Sequence, residues 1–252
     1  MILPSFRRLA ALGGLLFFVT AALAAEPAII AKARARLAPD ATLDAVRSIH
    51  YVGTLISPTP GKPGEETRSK IEIILQKPSQ QRIVITMPDV IEVSALDGYE
   101  AWKRTTAAND PTNWQQQQLG VEQILQLRAD VWQNLYFFRG IEKIGGSVED
   151  QGSVTMNGVV CRKVAFSHTP TLIYYRYFNA DTGELVFTGD EQNNVREEGE
   201  IVAGGIRFPK TIFITQVLAS GEKVERRIDF ETITVNESFP ASLFAVPLPT
   251  LK

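Results

Sequence analysis

The sequence predicts a mainly β (α+β) fold: an antiparallel sheet of about eleven strands, wide enough to curl into a partial or full barrel, with one amphipathic helix inserted mid-chain and short helices at the N-terminus. Three observations carry that expectation. Apolar, β-rich runs recur from residue 51 to residue 235, nearly every junction between them is a short turn, and only residues 119–139 show a long helical period.

Residues 1–24 read as a cleavable secretory signal: the basic pair Arg7-Arg8, an apolar run over 9–23, and small residues at Ala22 and Ala24. The run is shorter than the ~20 apolar residues that span a bilayer, and Gly13 and Gly14 interrupt it. Cleavage after Ala24 leaves residues 25–252 as one domain. It removes two arginines and no acid, taking the formal charge from −2 to −4. The only cysteine is Cys161, so neither a lipidated N-terminal Cys nor an intrachain disulfide is expected. The expected product is exported, free of a lipid anchor and monomeric.

The elements follow in order. Residues 28–37 suit a short Ala-rich helix, and 42–47 a second one capped by Asp40 or Thr42. A strand over 51–56 gives way to a Pro-rich loop at 58–64. Strands at 69–76, 82–87, 90–95 and 99–104 follow, separated by Lys77-Pro78-Ser79-Gln80, Pro88-Asp89 and Asp97-Gly98. In the first of these, Ile71, Ile73 and Leu75 alternate with Glu72 and Gln76, while Ile74 breaks the polar side. One face is therefore buried and the other partly covered. Residues 105–114 read as a polar loop. Ile124, Leu127, Val131, Leu135 and Phe138 then recur at helical spacing with polar residues between them, and Gly140 and Gly145-Gly146 end the helix. Strands resume at 147–156 and 159–167 across Asn157-Gly158, at 172–179 and 184–192, at 195–202 and 206–217 across Gly204-Gly205, and at 222–235. Helical crossovers are missing, so the sheet is antiparallel throughout.

The chemistry offered is sparse. A mildly acidic chain lacks the basic surface that nucleic acid requires. His50 and His168 lie in no metal-ligand spacing and read as surface or strand-end residues, while Cys161, inside the alternating run 159–165, reads as a buried structural thiol. No G-x-S-x-G occurs, Gly204-Gly205 lacks the helix of a phosphate cradle, and the acids Glu197, Glu198 and Asp229 show no catalytic spacing. No catalytic residue, metal or cofactor is expected. Apolar surface is plentiful instead. Tyr174, Tyr175, Tyr177 and Phe178 share one strand, whose alternation sends them to opposite faces. A curled sheet with an amphipathic helix over its mouth has room for a lipid or acyl chain. The alternative is that helix and sheet pack together with no space left.

Several segments together resemble the periplasmic outer-membrane lipoprotein-sorting proteins, the LolA-like and LolB-like fold. They are the exported helix followed by a strand, the Lys77-Pro78 turn, the run V-S-A-L-D-G-Y-E-A-W at 93–102, N-A-D-T-G at 179–183, and the closing L-F-A-V-P-L-P at 243–249. The resemblance implies an open antiparallel half-barrel closed by helices, a periplasmic location, and carriage of lipid or lipoprotein acyl chains with inner- and outer-membrane handover proteins as partners. The same fold also serves receptors, glycolipid carriers and a stress-sensing regulator, so a regulatory module gripping a protein partner is the rival reading. By that resemblance residues 119–139 form a lid. Ile124, Leu127, Val131, Trp132, Leu135 and Phe138 would then face Ile73, Ile85 and Tyr174 across a hydrophobic pocket. Lys77 stands where the sorting proteins carry a latch arginine. Lysine keeps the charge but loses the planar fork of donors, so the same latch does not carry over.

Overall fold

The computed structural model describes residues 26–247 except 60, 63, 157, 190–192 and 219. The signal region 1–24, Asn157 of the expected hairpin turn and the last part of the closing motif lie outside the described residues. Helix α1 (Ala28–Leu37) falls where its composition placed it. Helix α2 (Asp40–Asp44) begins earlier than expected, and neither expected cap serves it: Pro39 precedes the first turn and no side chain bonds to it. The Asp40 carboxylate instead accepts from Arg34 and Arg139, which together hold its pKa below the usual carboxylate range.

Six strands then form a meander: β1 (Ser48–Pro58), β2 (Glu66–Gln76), β3 (Gln80–Thr86), β4 (Val90–Asp97), β5 (Glu100–Ala107) and β6 (Asp110–Gln118). Strand β6 replaces the expected polar loop. Its sequence, DPTNWQQQQ, has no apolar phase because the strand lies at the edge of the sheet and is exposed along nearly all its length. Helix α3 (Val121–Leu135) is shorter than the expected 119–139. It ends before its glycines, because Phe137 and Phe138 take left-handed backbone (φ 47° and 70°); Gly140 and Gly145 instead bracket a 3₁₀ turn at Ile141–Ile144. Strands β7 (Ser147–Met156), β8 (Val159–Thr169), β9 (Leu172–Asn179), β10 (Leu185–Gly189) and β11 (Asn193–Glu198) come next. The hairpin β12 (Ile201–Ala203) and β13 (Ile206–Phe208) follows, then β14 (Thr211–Val217) and β15 (Lys223–Val235). Where two long strands were expected over 195–217, left-handed Gly199 and the N–H-less Pro209 break the chain into four.

Thirteen strands make one antiparallel sheet in the order β6-β5-β4-β3-β2-β1-β15-β14-β11-β10-β9-β8-β7, more than the eleven or so expected, with β12–β13 apart. The sheet does not close: β6 and β7 are its two ends, and α3 carries the chain from one end to the other. The first and last strands meet at its centre, β1 on β15, with a bulge beside Gly53. A Cβ on Gly53 would lie 2.3 Å from the Asp229 carbonyl oxygen, so the bulge admits only glycine.

Cross-strand register lines up apolar rows on the concave face, such as Tyr51, Ile73 and Ile83, and beside it Ile71 and Ile85. The convex face is partly covered, as Ile74 implied. Residues 236–247 run along it, the Trp102 indole donates to the Phe244 carbonyl at 3.0 Å, and Phe244 is fully buried. On the concave side α3 sits over two cores. One gathers Val131 and Leu135 with Leu43, Ile49 and Leu96; the other gathers Trp132 and Phe138 with Ile30, Phe166 and Phe178.

Candidate ligand cavity beneath the helix

Between α3 and the concave sheet lies a cavity of about 650 Å³. That is within the range of sites that hold small amphiphilic ligands, ~300–1,000 Å³. Its floor is built by register. Ile71, Ile73, Ile83 and Ile85 come from the β2–β3 pair, while Leu55, Ile228 and Ile212 face one another across β1, β15 and β14. Phe137 and Phe138 enter from above because the left-handed turn after α3 points the chain back over the opening.

That turn is clasped by a buried arginine. Arg34 of α1 is 1% exposed; its Nη1 donates to the Phe137 carbonyl at 3.0 Å, its Nε to Asp40 at 2.7 Å and its Nη2 to Asp44 at 2.6 Å. One side chain thus ties α1, α2 and the end of α3 together and offsets the strain of two consecutive left-handed residues.

The helix is also fastened to the rim formed by the β2–β3 and β4–β5 turns. Arg128 donates to the Gly98 carbonyl at 2.7 Å and lies over the Tyr99 ring, 3.9 Å from its centre. At the other end the Tyr136 hydroxyl donates to the Pro78 carbonyl at 3.2 Å, with Lys77 Nζ 4.8 Å from the centre of the same ring. Partial burial holds the Lys77 ammonium below the usual lysine range.

Of the residues expected to face a ligand, Ile73, Ile85, Tyr174 and Phe138 line the cavity. Ile124, Leu127, Val131, Trp132 and Leu135 do not. They pack into the cores between helix and sheet, so the helical stripe is the surface that attaches α3. The two histidines lie near strand ends, His50 at the start of β1 and His168 at the end of β8, and both are partly buried. His50 sits between Glu72 and Glu237 at 2.9 Å each, with Phe239 edge-on to it. His168 packs against Trp132 and Tyr174, and its Nε2 accepts from Gln133 at 2.7 Å. Burial, aided by Arg176, pushes the His168 pKa down to about 4.

Apart from Tyr174, composition and spacing did not single out the polar residues of the cavity as ligand-facing. Asp130 and Gln133 reach it from α3, Tyr174 and Arg176 from β9, and Glu197 from β11. The Tyr174 hydroxyl donates to Asp130 at 2.5 Å and accepts from Gln126. Partial burial raises the pKa of Asp130 above the usual carboxylate range, against the pull of Tyr174, whereas Glu197 is exposed at the cavity's edge. Arg176 is held below the usual arginine range, to about 10, chiefly by burial. Their signal was strand phase: Tyr174, Arg176 and Phe178 share one face of β9, so the arginine follows the apolar side.

An open antiparallel sheet whose two ends are joined by a helix lying over its hollow is a half-barrel with a lid. Comparison with solved structures puts this architecture in the LolA-like fold. A LolA superfamily protein from Nitrosomonas europaea superposes with a TM-score of 0.56 at 14% identity, over 86% of this chain and 96% of that one. A DUF1329 family protein from Desulfovibrio piger gives 0.54 at 8%, over 86% and 96%. A domain classed with outer membrane lipoprotein-sorting proteins, from Vibrio parahaemolyticus, gives 0.53 at 6%, over 85% and 95%. No protein-family model and no curated protein matches the sequence. Among the described residues no helix is long and apolar enough to cross a membrane, and no group of His, Cys, Asp and Glu is arranged to hold a metal ion.

Proposed function

We propose that this protein is an exported, periplasmic carrier that shelters the acyl chain of a lipid or lipoprotein beneath α3, acting as a monomer after loss of residues 1–24. The observation that carries the reading is the cavity of about 650 Å³ whose floor is built from branched aliphatic side chains. At ~0.8 kcal/mol per buried methylene, a chain of about ten carbons brings roughly 8 kcal/mol, the scale of micromolar binding before association costs are subtracted. The neighbouring folds support it, since one is classed with lipoprotein sorting. Handover between membranes would use partners that meet the helix and its rim.

The test uses N-phenyl-1-naphthylamine, an uncharged probe that brightens in apolar surroundings. The protein is expected to bind it at low micromolar concentration, and lipid extraction of the purified protein to release an acylated molecule. Ile85→Trp, which fills part of the cavity, should weaken probe binding by about tenfold, as lost apolar burial of ~1.4 kcal/mol would do. Absence of both probe binding and copurifying lipid would remove the proposal. A stoichiometric protein partner recovered with an empty cavity would favour the regulatory module instead.

A further inference from the structure

Among the charged residues that line the cavity, Arg176 is the buried one. This residue is 6% exposed and stands in a cross-strand row with Thr188, Val195 and Ile214, all of which line the cavity. Its guanidinium lies against two rings, 4.7 Å from the centre of Phe138 and 5.7 Å from that of Phe166. Only Nη2 has a partner, the Gln133 carbonyl at 3.3 Å; Nε and Nη1 are buried and have none. Buried donors on a cation are costly to leave unpaired, by ~1–3 kcal/mol or more. The other arginines of the wall are satisfied: Arg36 pairs with Glu184, Arg207 with Glu200, and Arg226 donates to Gln216. Arg176 alone among them has buried donors without a partner.

We propose that Arg176 receives the head group of the bound molecule, and that this head group is a carboxylate on an apolar chain lying along Ile73, Ile83 and Ile85. The inference rests on the acyl-binding reading and adds the ligand class to it. Charge balance selects a monoanion. Asp130 and Glu197 also line the cavity, so a doubly charged phosphate would bring one more negative charge than a carboxylate to a wall where Arg176 is the one arginine with buried, unpartnered donors. A single carboxylate matches the single free guanidinium and gains charge-assisted hydrogen bonds in a dry setting. Gln133 Oε1, also buried and unpartnered, belongs to the α3 residue whose carbonyl Arg176 meets. Turning over its amide, with the proton of His168 moved to Nε2, presents a further N–H to the same oxygen atoms.

The experiment compares laurate, methyl laurate and dodecyl phosphate as displacers of N-phenyl-1-naphthylamine at pH 8. Two charge-assisted hydrogen bonds predict that laurate displaces the probe at about tenfold lower concentration than its methyl ester, and below dodecyl phosphate. Arg176→Gln should bring the displacing concentrations of laurate and its ester together. Glu197→Gln does not touch the packing of Arg176; removing a neighbouring negative charge should widen the preference for laurate. Equal displacement by laurate and ester on the unmodified protein overturns the head-group assignment but leaves acyl binding standing. Tighter binding of the phosphate overturns the monoanion. Failure of all three to displace, with no probe binding, removes the carrier reading as well.

Discussion

His168 is held neutral by its setting: it is half-buried against Trp132 and Tyr174, with the Arg176 cation close by. Its folded pKa of about 4 lies below the ordinary 6.5, so in this window the unfolded chain takes up the proton first. The contribution of His168 to stability is therefore complete above pH 6.5 and is lost as the pH falls towards 4. Discounted for partial exposure, the loss is about 2 kcal/mol. Urea unfolding at pH 7.5 and pH 4.5 checks this: His168→Gln should lose that much less stability between the two than the unmodified protein. Equal losses would show that the imidazole is not buried as described. At this scale the sequence was only partly readable. Cys161 is fully buried as its strand phase indicated. By contrast, nothing local distinguishes His168 from a surface histidine, because Trp132 and Gln133 reach it from the lid, 35 or so positions away.

At the scale of elements, the turns were the best guides. The separators at 77–80, 88–89 and 97–98 mark ends of strands that the structure also ends there, since proline or glycine leaves the chain little choice. Edges were the hardest to read. Strand β6 has solvent on both sides, so no apolar period records it, and its pairing to β5 comes from backbone hydrogen bonds that any side chain permits. The lid shows a subtler limit: a helical stripe reveals which face is buried but not whether it meets a core or a ligand. Lys77 and Tyr136 hold the end of that helix to the rim through a cation over a ring. Such a contact contributes about 0.5–1 kcal/mol when partly exposed. Lys77→Ala should accordingly raise hydrogen exchange of the last turn of α3 by about threefold, and Lys77→Arg should keep the protection. Unchanged exchange in Lys77→Ala would leave Arg128 and Tyr136 as the fasteners.

For the whole molecule, a hollow beneath the helix and some of its lining were expected from the sequence, but its far floor was not, because that depends on pairing β1 with β15, some 180 residues apart in the chain. Gly53 sits at that junction, with the backbone of Asp229 and Phe230 pressed against it. A single methyl group there must push the central strands apart. Gly53→Ala is expected to cost about 2–3 kcal/mol, measured as a fall in the urea midpoint, and to weaken probe binding as the floor shifts. Stability equal to the parent would mean that the seam is softer than its contacts imply.

The same seam bears on how the chain is made. A polypeptide emerging N-terminus first delivers the six-stranded meander early, with one side of β1 bare until residues 223–235 arrive to cover it. Throughout that interval the chain carries a strand with one open edge and mostly apolar residues, Ile49 to Ile56, the kind of template on which nascent chains cross-pair. Slowing synthesis or supplying a holding chaperone is therefore expected to raise the yield of folded protein, by covering that bare edge until β15 arrives.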